Sequence, residues 1–309
     1  MLDLYQKTLG EPVKFSGVGL HTGLPVSIEV LPAPENHGIV FRRSDVIDSE
    51  PLAAQTSNVT STHLATVLGG GSSKISTIEH LMATFFGLGI DNVTVLVHGP
   101  EIPILDGSAA CFVESFQKAG LVQQNGRKSF YLVKKPFEVG DQDQCVRVEP
   151  SYRLQFKYAI NFPGIIGHQN LDFNFAKSSF LDICAARTFC HIKQVEAMKT
   201  AGYALGGSLD NAVVVTDTGY LNQNGLRYKD EFVRHKLLDA LGDMALFGTT
   251  IIGKFSFLKS GHNWHFKFIS ELFKKKSDYL ILVEPKQTSS ESNISDFLES
   301  LIDKHLIPV

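Results

Sequence analysis

Strand patterns and helix patterns both recur along this 309-residue chain, but not in the regular strand–helix–strand alternation that builds a parallel sheet. Near the start, Val26, Ile28 and Val30 alternate with polar residues, as in a strand with one buried face. Helical stretches interrupt the strands irregularly, at roughly 77–86, 109–118, 195–199 and 230–247. The glycine-rich segments 17–23 and 69–74 lack the spacing of dinucleotide and P-loop sites. The sequence therefore predicts an α+β fold.

The composition excludes several classes of protein. Hydrophobic residues make up 43% and charged residues 20%, which is the balance of a globular chain. The formal net charge of −3 predicts no whole-chain attraction to nucleic acid or to an anionic membrane. We expect no transmembrane segment and no signal peptide, because apolar stretches are short and the N-terminus lacks a basic head. Four scattered cysteines indicate reduced thiols of a cytoplasmic protein, so a metal would need His and carboxylate ligands.

The chain divides most naturally near its middle. The polar segment Gln123–Lys128 carries an Asn-Gly turn signal before a strand, which predicts domains of residues 1–126 and 127–286. Asp91-Asn-Val93 weakly echoes Asp210-Asn-Ala212, although helices and strands read in a different order in the two halves. Residues 287–309 form a predicted tail in which a short amphipathic helix would bury Ile294, Phe297, Leu298, Leu301 and Ile302.

The segment from Asp230 to Asp243 carries most of the chemical information. His235, Asp239 and Asp243 follow one another at four-residue intervals, so a helix projects all three from one face. One imidazole and two carboxylates on a face can supply two metal ligands and a further charged group. The alternative is the solvated face of a surface helix, which this segment alone would favour.

Two further segments carry histidines. Glu79 and His80 begin a predicted helix, where a metal ligand beside a carboxylate that acts on water suits hydrolysis. The competing interpretation is a capping box, Ser76-x-x-Glu79, in which the Glu79 side chain accepts from the backbone N–H of Ser76. His262 follows small residues after a strand and, taken alone, would be an exposed loop histidine.

Together the three segments resemble the UDP-3-O-acyl-N-acetylglucosamine deacetylases, zinc enzymes of lipid A synthesis. The resemblance runs from about residue 5 to 285. Its blocks are Gly17–Gly23, Ile28–Pro34, Thr77–Leu81, Gly89–Asn92, Pro100–Ala109, Ala186–Phe189, Gly206–Ser208, His235–Asp243 and Ser260–His262. The family implies two similar α+β domains, packed with their helices in the middle and with the metal site between them.

The resemblance also implies a role for each matching residue. A zinc ion, or ferrous iron in the cell, would be held by His80, His235 and Asp239. Glu79 would be the general base toward the attacking water. His262 would protonate the leaving amine, held by Asp243. Lys236 and Thr188 would stabilise the tetrahedral oxyanion.

The substrate implied by the family is an acylated UDP-N-acetylglucosamine. His21 would contact its diphosphate or sugar, and Phe189 would pack on the glucosamine ring. A strand–helix–strand unit near 189–215, with a predicted strand at 203–207, would form a passage for the acyl chain. The residues expected to line this passage are Ile192, Val195, Ala204 and Gly207. From the residues alone, the helix of this unit would instead lie with its apolar stripe on the core.

The implied reaction is hydrolysis of the N-acetyl group of UDP-3-O-(3-hydroxyacyl)-N-acetylglucosamine, with release of acetate, by a monomer that binds no nucleic acid. Two alternatives stay open. A non-catalytic zinc or nucleotide-sugar-binding protein could keep the fold, but it would be expected to lose Glu79, Lys236 or His262 first. A related zinc amidase with another substrate would differ in its acyl and UDP contacts.

Overall fold

A computed structural model describes residues 3–286 and 293–303 of the chain. The helices within these residues are α1 (Glu79–Leu88), α2 (Ala110–Ala119), α3 (Ile192–Thr200), α4 (Glu231–Ala245), α5 (His262–Lys274), α6 (Lys276–Tyr279) and α7 (Ile294–Asp303). The strands before residue 128 are β1 (Tyr5–Leu9), β2 (Val13–Val18), β3 (Pro25–Pro32), β4 (Ile39–Arg43), β5 (Leu52–Ala53), β6 (Val59–Ser61), β7 (Val67–Leu68), β8 (Val93–His98) and β9 (Leu121–Arg127). The later strands are β10 (Phe130–Val133), β11 (Phe137–Gly140), β12 (Cys145–Glu149), β13 (Gln155–Phe162), β14 (Gly167–Asn174), β15 (Phe189–His191), β16 (Val213–Val215), β17 (Thr250–Ile252), β18 (Lys254–Leu258) and β19 (Leu280–Val283).

Two five-stranded sheets, one in each half of the chain, share one topology. Their strand orders are β2-β3-β8-β4-β5 and β11-β12-β18-β13-β14. In both sheets the last strand in sequence pairs in parallel with the third and antiparallel with the second, and the remaining pairs are antiparallel. Helices α1 and α2 flank β8 in the chain, as α4 and α5 flank β18. The two halves therefore contain a repeated unit, and the prediction that helices and strands are ordered differently in the two halves is wrong for the sheets and the helices that flank β8 and β18. The Asp91–Asp210 echo does not mark this repeat, because Asp91 precedes β8 whereas Asp210 precedes β16, outside the second sheet.

Helices α1, α2, α4 and α5 pack between the two sheets. Helix α1 lies against α4, while α4 also contacts β13 and β14, and α5 contacts β11 and β12. The two central helices approach closely because α4 has Gly242 at the crossing, where a Cβ would overlap the carbonyl oxygen of Glu79. The predicted α+β fold, with its helices in the middle, is confirmed. The solvated-face interpretation of α4 is wrong, since His235, Asp239 and Asp243 are all buried.

The segment chosen as the domain boundary is a strand rather than a turn. Residues 121–127 form β9, which pairs antiparallel with β1 at the start of the chain. Asn125 and Gly126 fall where this ladder is irregular, opposite the interval between Tyr5 and Lys7. The pairing with a distant strand overrides the local turn preference, so the turn prediction is wrong. The division at residues 126/127, which falls at the end of β9, stays a prediction.

A strand–helix–strand unit lies between β14 and α4. Strands β15 and β16 pair in parallel and are connected through α3. The predicted strand at 203–207 is wrong: these residues form a loop, in which Ala204 has a φ of 54°. The backbone N–H groups of Leu205 and Gly206 donate to the carbonyl oxygens of His21 and Leu20, which ties the loop to the glycine-rich turn.

Near the C-terminus, helix α7 buries Ile294, Phe297 and Leu298. The Phe297 ring packs edge-on against Phe130, with the ring centroids 6.3 Å apart. Residues 287–292 and 304–309, and the side chains of Leu301 and Ile302, lie outside the described residues. Within the part that is described, no helix is long and apolar enough to cross a membrane.

Candidate active site

Glu79 is the first residue of helix α1, but its side chain does not cap the N-terminus of that helix. The N-cap position is Ile78, without a side-chain hydrogen bond, and the Ser76 hydroxyl donates to the Pro100 carbonyl at 3.3 Å. Thr77 has a φ of 59°, so the backbone turns between Ser76 and the helix. The Oε2 atom of Glu79 accepts instead from the backbone N–H of Thr66 at 3.1 Å. The capping-box interpretation is therefore wrong, and the carboxylate faces the space between the two halves.

Three side chains meet at the crossing of α1 and α4. His80, His235 and Asp239 are buried, and their potential ligand atoms all lie within 4.8 Å of one another. Asp239 Oδ1 is 3.6 Å from His80 Nε2 and 3.3 Å from His235 Nε2. The two imidazole rings are nearly perpendicular, with centroids 5.0 Å apart. These donors converge on one point, as tetrahedral coordination requires.

The hydrogen bonds around this triad suit a bound cation. His235 Nδ1 lies 3.0 Å from the carbonyl oxygen of Ala186, so Nδ1 carries the proton and Nε2 keeps a free lone pair toward Asp239. Asp239 Oδ1 is buried and accepts no hydrogen bond from the described residues. A buried carboxylate oxygen in this state is costly unless a cation binds it. The residues present therefore fit a divalent metal with imidazole and carboxylate ligands.

A second buried cluster surrounds Asp243, one turn further along α4. The Oδ2 atom of Asp243 is 2.7 Å from Nδ1 of both His262 and His265, and its Oδ1 accepts from the Thr66 hydroxyl at 2.6 Å. His262 Nε2 lies 3.8 Å from Oε1 of Glu79. Since hydrogen bonds already join these donors to Asp243, this cluster is a proton-holding network rather than an open metal site. His262 is largely buried at the start of α5, so the exposed-loop interpretation is wrong.

The charges in the two clusters differ for clear physical reasons. Burial alone would lower the pKa of His262, but the Asp243 carboxylate and Glu79 raise it to about 9. Burial lowers the pKa of His235 to about 4, which keeps its imidazole neutral. Burial would raise the pKa of Asp239, yet His235 and Lys236 hold it well below its usual range. At neutral pH the site therefore pairs the His262 imidazolium with a neutral imidazole at His235 and an ionised carboxylate at Asp239.

Comparison with known proteins shows which family this chain resembles. Residues 6–274 match the family model described as LpxC, UDP-3-O-acyl N-acetylglycosamine deacetylase. The chain is 44% identical to the UDP-3-O-acyl-N-acetylglucosamine deacetylase of Geobacter sp. (strain M21), over 94% of this chain and 96% of the relative. The enzymes of the same name from Wolinella succinogenes and Acidithiobacillus ferrooxidans are 44% and 45% identical, covering 90% and 83% of this chain and 93% and 86% of theirs.

The chain belongs to this deacetylase family.

Among the residues that match the deacetylase family, Lys236 contacts the cluster of His80, His235 and Asp239 directly, whereas Thr188 is joined to its neighbours through its backbone. Lys236 Nζ donates to Asp239 Oδ2 at 2.7 Å. Burial would lower the pKa of Lys236, but Asp239 raises it above its ordinary value, so the ammonium stays charged. Thr188 follows Ala186, the backbone partner of His235, and its own carbonyl accepts from Val213 N at 2.8 Å.

His21 and Phe189 border the site from opposite elements. Phe189 begins β15 and its ring lies 6.2 Å from that of His235, which places an aromatic face beside a potential metal ligand. His21 lies in the glycine-rich turn, and its ring is 5.6 Å from that of Tyr203. The backbone N–H of Ala204 lies 3.4 Å from His21 Nδ1, so the turn and the 203–207 loop form one wall.

Helix α3 does not lie on the core. None of its residues is buried, and Ile192 is 40% exposed while Val195 is half-buried. Gly207, beyond the helix, is half-buried with Ala204 as its nearest neighbour. The alternative interpretation from the residues alone, an amphipathic helix packed on the core, is wrong, because Ile192 is exposed and Val195 and Met198 are only half-buried.

Three residues of the site were missed from the sequence. Thr66 binds both Glu79 and Asp243, and no motif marks it. Glu101 is fully buried and accepts from the backbone of His21 and Thr22 and from the hydroxyl of Thr77. Glu101 thus joins the glycine-rich turn to the start of α1. His265 lies three residues after His262 on the same helix face, a spacing that could have indicated a shared partner.

Proposed function

We propose that this chain catalyses metal-dependent hydrolysis of the N-acetyl group of UDP-3-O-(3-hydroxyacyl)-N-acetylglucosamine, with release of acetate, as a deacetylase of lipid A biosynthesis. One observation carries the proposal. The base Glu79 and the acid His262 lie 3.8 Å apart, beside the buried triad His80, His235 and Asp239. Amide hydrolysis needs these three functions in one place.

The triad would hold zinc, the metal of the family that the sequence resembles, although ferrous iron has the same donor preferences. When bound, the ion supplies Lewis-acid chemistry at the amide carbonyl. Lys236 fixes the orientation of the Asp239 carboxylate by donating to Oδ2, which leaves Oδ1 directed at His80 and His235. Replacing the ammonium would free that carboxylate to rotate.

Glu79 acts as the general base. Burial raises its pKa above the ordinary value, so the carboxylate is a stronger base than an exposed glutamate. The Thr66 N–H holds Oε2 and leaves Oε1 facing His262, in a position to take a proton from the attacking water. The carbonyl carbon gains the hydroxyl group, and the carbonyl π-electrons move to the oxygen.

His262 acts as the general acid. Asp243 fixes Nδ1, so Nε2 carries the transferable proton and points to the site. When the C–N bond of the intermediate breaks, its electrons return to the nitrogen, which takes the Nε2 proton and leaves as an amine. Lys236 and Thr188 provide a cation and a hydroxyl for the oxyanion that precedes this step.

Acetate release from the acylated UDP-N-acetylglucosamine tests the proposal. We expect turnover by the purified protein, loss of turnover after chelation, and recovery on adding zinc or ferrous iron. Failure on this substrate alone, with turnover of another N-acetyl sugar, would favour the related amidase. Metal binding without turnover of either would favour the non-catalytic alternative. A cytoplasmic location and a monomeric state stay predictions.

The acyl chain of the substrate would lie along the partly exposed apolar side of α3, passing Ile192 and Val195 toward Gly207. A side chain at Gly207 would crowd this end of the path, since a Cβ would lie 3.2 Å from the Ala204 carbonyl oxygen and 3.8 Å from Leu20 Cδ1. Ala204 is a poor position for a test, because its φ of 54° strains any larger residue.

We expect Gly207→Leu to lower kcat/KM for a long acyl chain much more than for a short one. Each methylene buried from water contributes about 0.8 kcal/mol to binding of the acyl chain. If the variant prevents burial of two methylenes, kcat/KM for the long-chain substrate should fall about tenfold. The measurement is the kcat/KM ratio for two substrates that differ in chain length. Gly70→Leu is the matched control, because Gly70 is exposed with open space around it. Equal losses on both substrates would contradict the passage.

A further inference from the structure

His265 lies one turn after His262 on α5 and is fully buried. Its Nδ1 atom and that of His262 contact the same oxygen, Oδ2 of Asp243, at 2.7 Å each. On its other side, His265 Nε2 lies 3.2 Å from both the Tyr158 hydroxyl and Ser260 Oγ. The proposed reaction gives His265 no role, since Asp243 separates it from the reacting groups.

The surrounding hydrogen bonds assign the donor at Nδ1 of His265, and burial accounts for the neutral ring. The ionised Asp243 carboxylate only accepts, so His265 Nδ1 must donate to it. The Tyr158 hydroxyl donates to the Ser260 carbonyl at 2.8 Å, and the Ser260 hydroxyl is then free to donate to a neutral Nε2 at 3.2 Å. Burial lowers the pKa of His265 even beside Asp243, in keeping with a neutral ring. His265 is therefore a fixed neutral donor.

Resting on the proposed function, we infer that His265 is a positioning residue for the acid: it holds Asp243 and shares the Oδ2 atom that binds His262. A carboxylate oxygen that accepts two N–H groups offers less charge to each. Without His265, Asp243 would stabilise the His262 imidazolium more strongly and hold it less rigidly. With His265 in place, His262 is thus a stronger acid, and it is held in a more fixed orientation, than it would be without His265.

Several other groups face His262, and a substitution of His265 leaves their chemical identity unchanged. Besides His265 on its own helix, these are Asp243 and Asp239 of α4, Glu79 of α1, and Thr66 and His21 of the loops. A shift of the basic limb in a His265 variant therefore reports how His265 acts on His262 through Asp243.

Two substitutions separate the two sides of the ring. In His265→Asn the amide nitrogen takes the place of Nδ1 and keeps a donor to Asp243, whereas in His265→Gln it takes the place of Nε2 and keeps only the Tyr158 side. We expect His265→Gln to move the basic limb of kcat/KM up by about one pH unit and to lower kcat about tenfold, as for one hydrogen bond to a charged group. His265→Asn should stay close to the native profile, and KM should change little in either variant.

Unmoved basic limbs, or equal shifts in both variants, would overturn the inference, because packing alone would then explain His265. Loss of bound metal in His265→Gln would also overturn it, since the ring would then be a ligand. If His265→Gln fails to fold, His265→Met removes the same donor at similar volume. A native protein that releases no acetate would refute the proposed function instead, while NMR titration of the His262 ring, which needs no turnover, would still decide the inference.

Discussion

Glu79→Gln is expected to keep the bound metal and to lose about 100- to 10,000-fold in kcat, the usual contribution of a general base. The amide has nearly the same shape as the carboxylate and can still accept from the Thr66 N–H, but it cannot take a proton. Metal content by elemental analysis, measured on the same sample as acetate release, checks both parts of this prediction.

His80→Ala is the matched comparison for Glu79→Gln. It removes one of the three proposed ligands next to Glu79, so we expect loss of metal and activity together. A Glu79→Gln variant with near-native turnover would contradict the base assignment. Loss of metal in that variant would place Glu79 among the ligands.

His262→Ala should lose activity on a comparable scale and should also lose the basic limb of the kcat/KM profile. The pKa of His262 is raised to about 9, so the imidazolium persists through neutral pH and loses its proton above pH 9. Native activity should therefore fall as the pH rises through that region. An unchanged basic limb in His262→Ala would assign the titration to another group, such as Lys236.

We expect the acid limb of the same profile to belong to Glu79. A base must be ionised, so activity falls when the pH drops below its pKa, which burial raises above the ordinary glutamate value.

Asp243→Asn offers a control for the acid alone: it removes the charge that raises the pKa of His262, so the basic limb should move to lower pH.

The sequence predicted those parts of the fold that depend on local pattern. Alternation and helical spacing located most elements, and α4 spans Glu231–Ala245 where the pattern indicated 230–247. The interval of four residues placed His235, Asp239 and Asp243 on one face of α4, because residues four apart in an α-helix lie on the same face. Local preference failed at Asn125-Gly126, where pairing with β1 prevails, and at residues 203–207, where hydrogen bonds to the glycine-rich turn hold a loop.

By itself the sequence determined which residue types are available for the chemistry and, by resemblance, the family that uses them. Only the tertiary structure decided what each side chain contacts. The crossing of α1 and α4 at Gly242 brings His80 to Asp239, across 159 positions of the chain, and leaves Asp239 Oδ1 buried without a hydrogen-bond donor among the described residues. Thr66 and His265 reach Asp243 only through packing of distant elements. Burial and neighbouring charge, which are properties of the folded state, then set the proton affinities of Glu79 and His262.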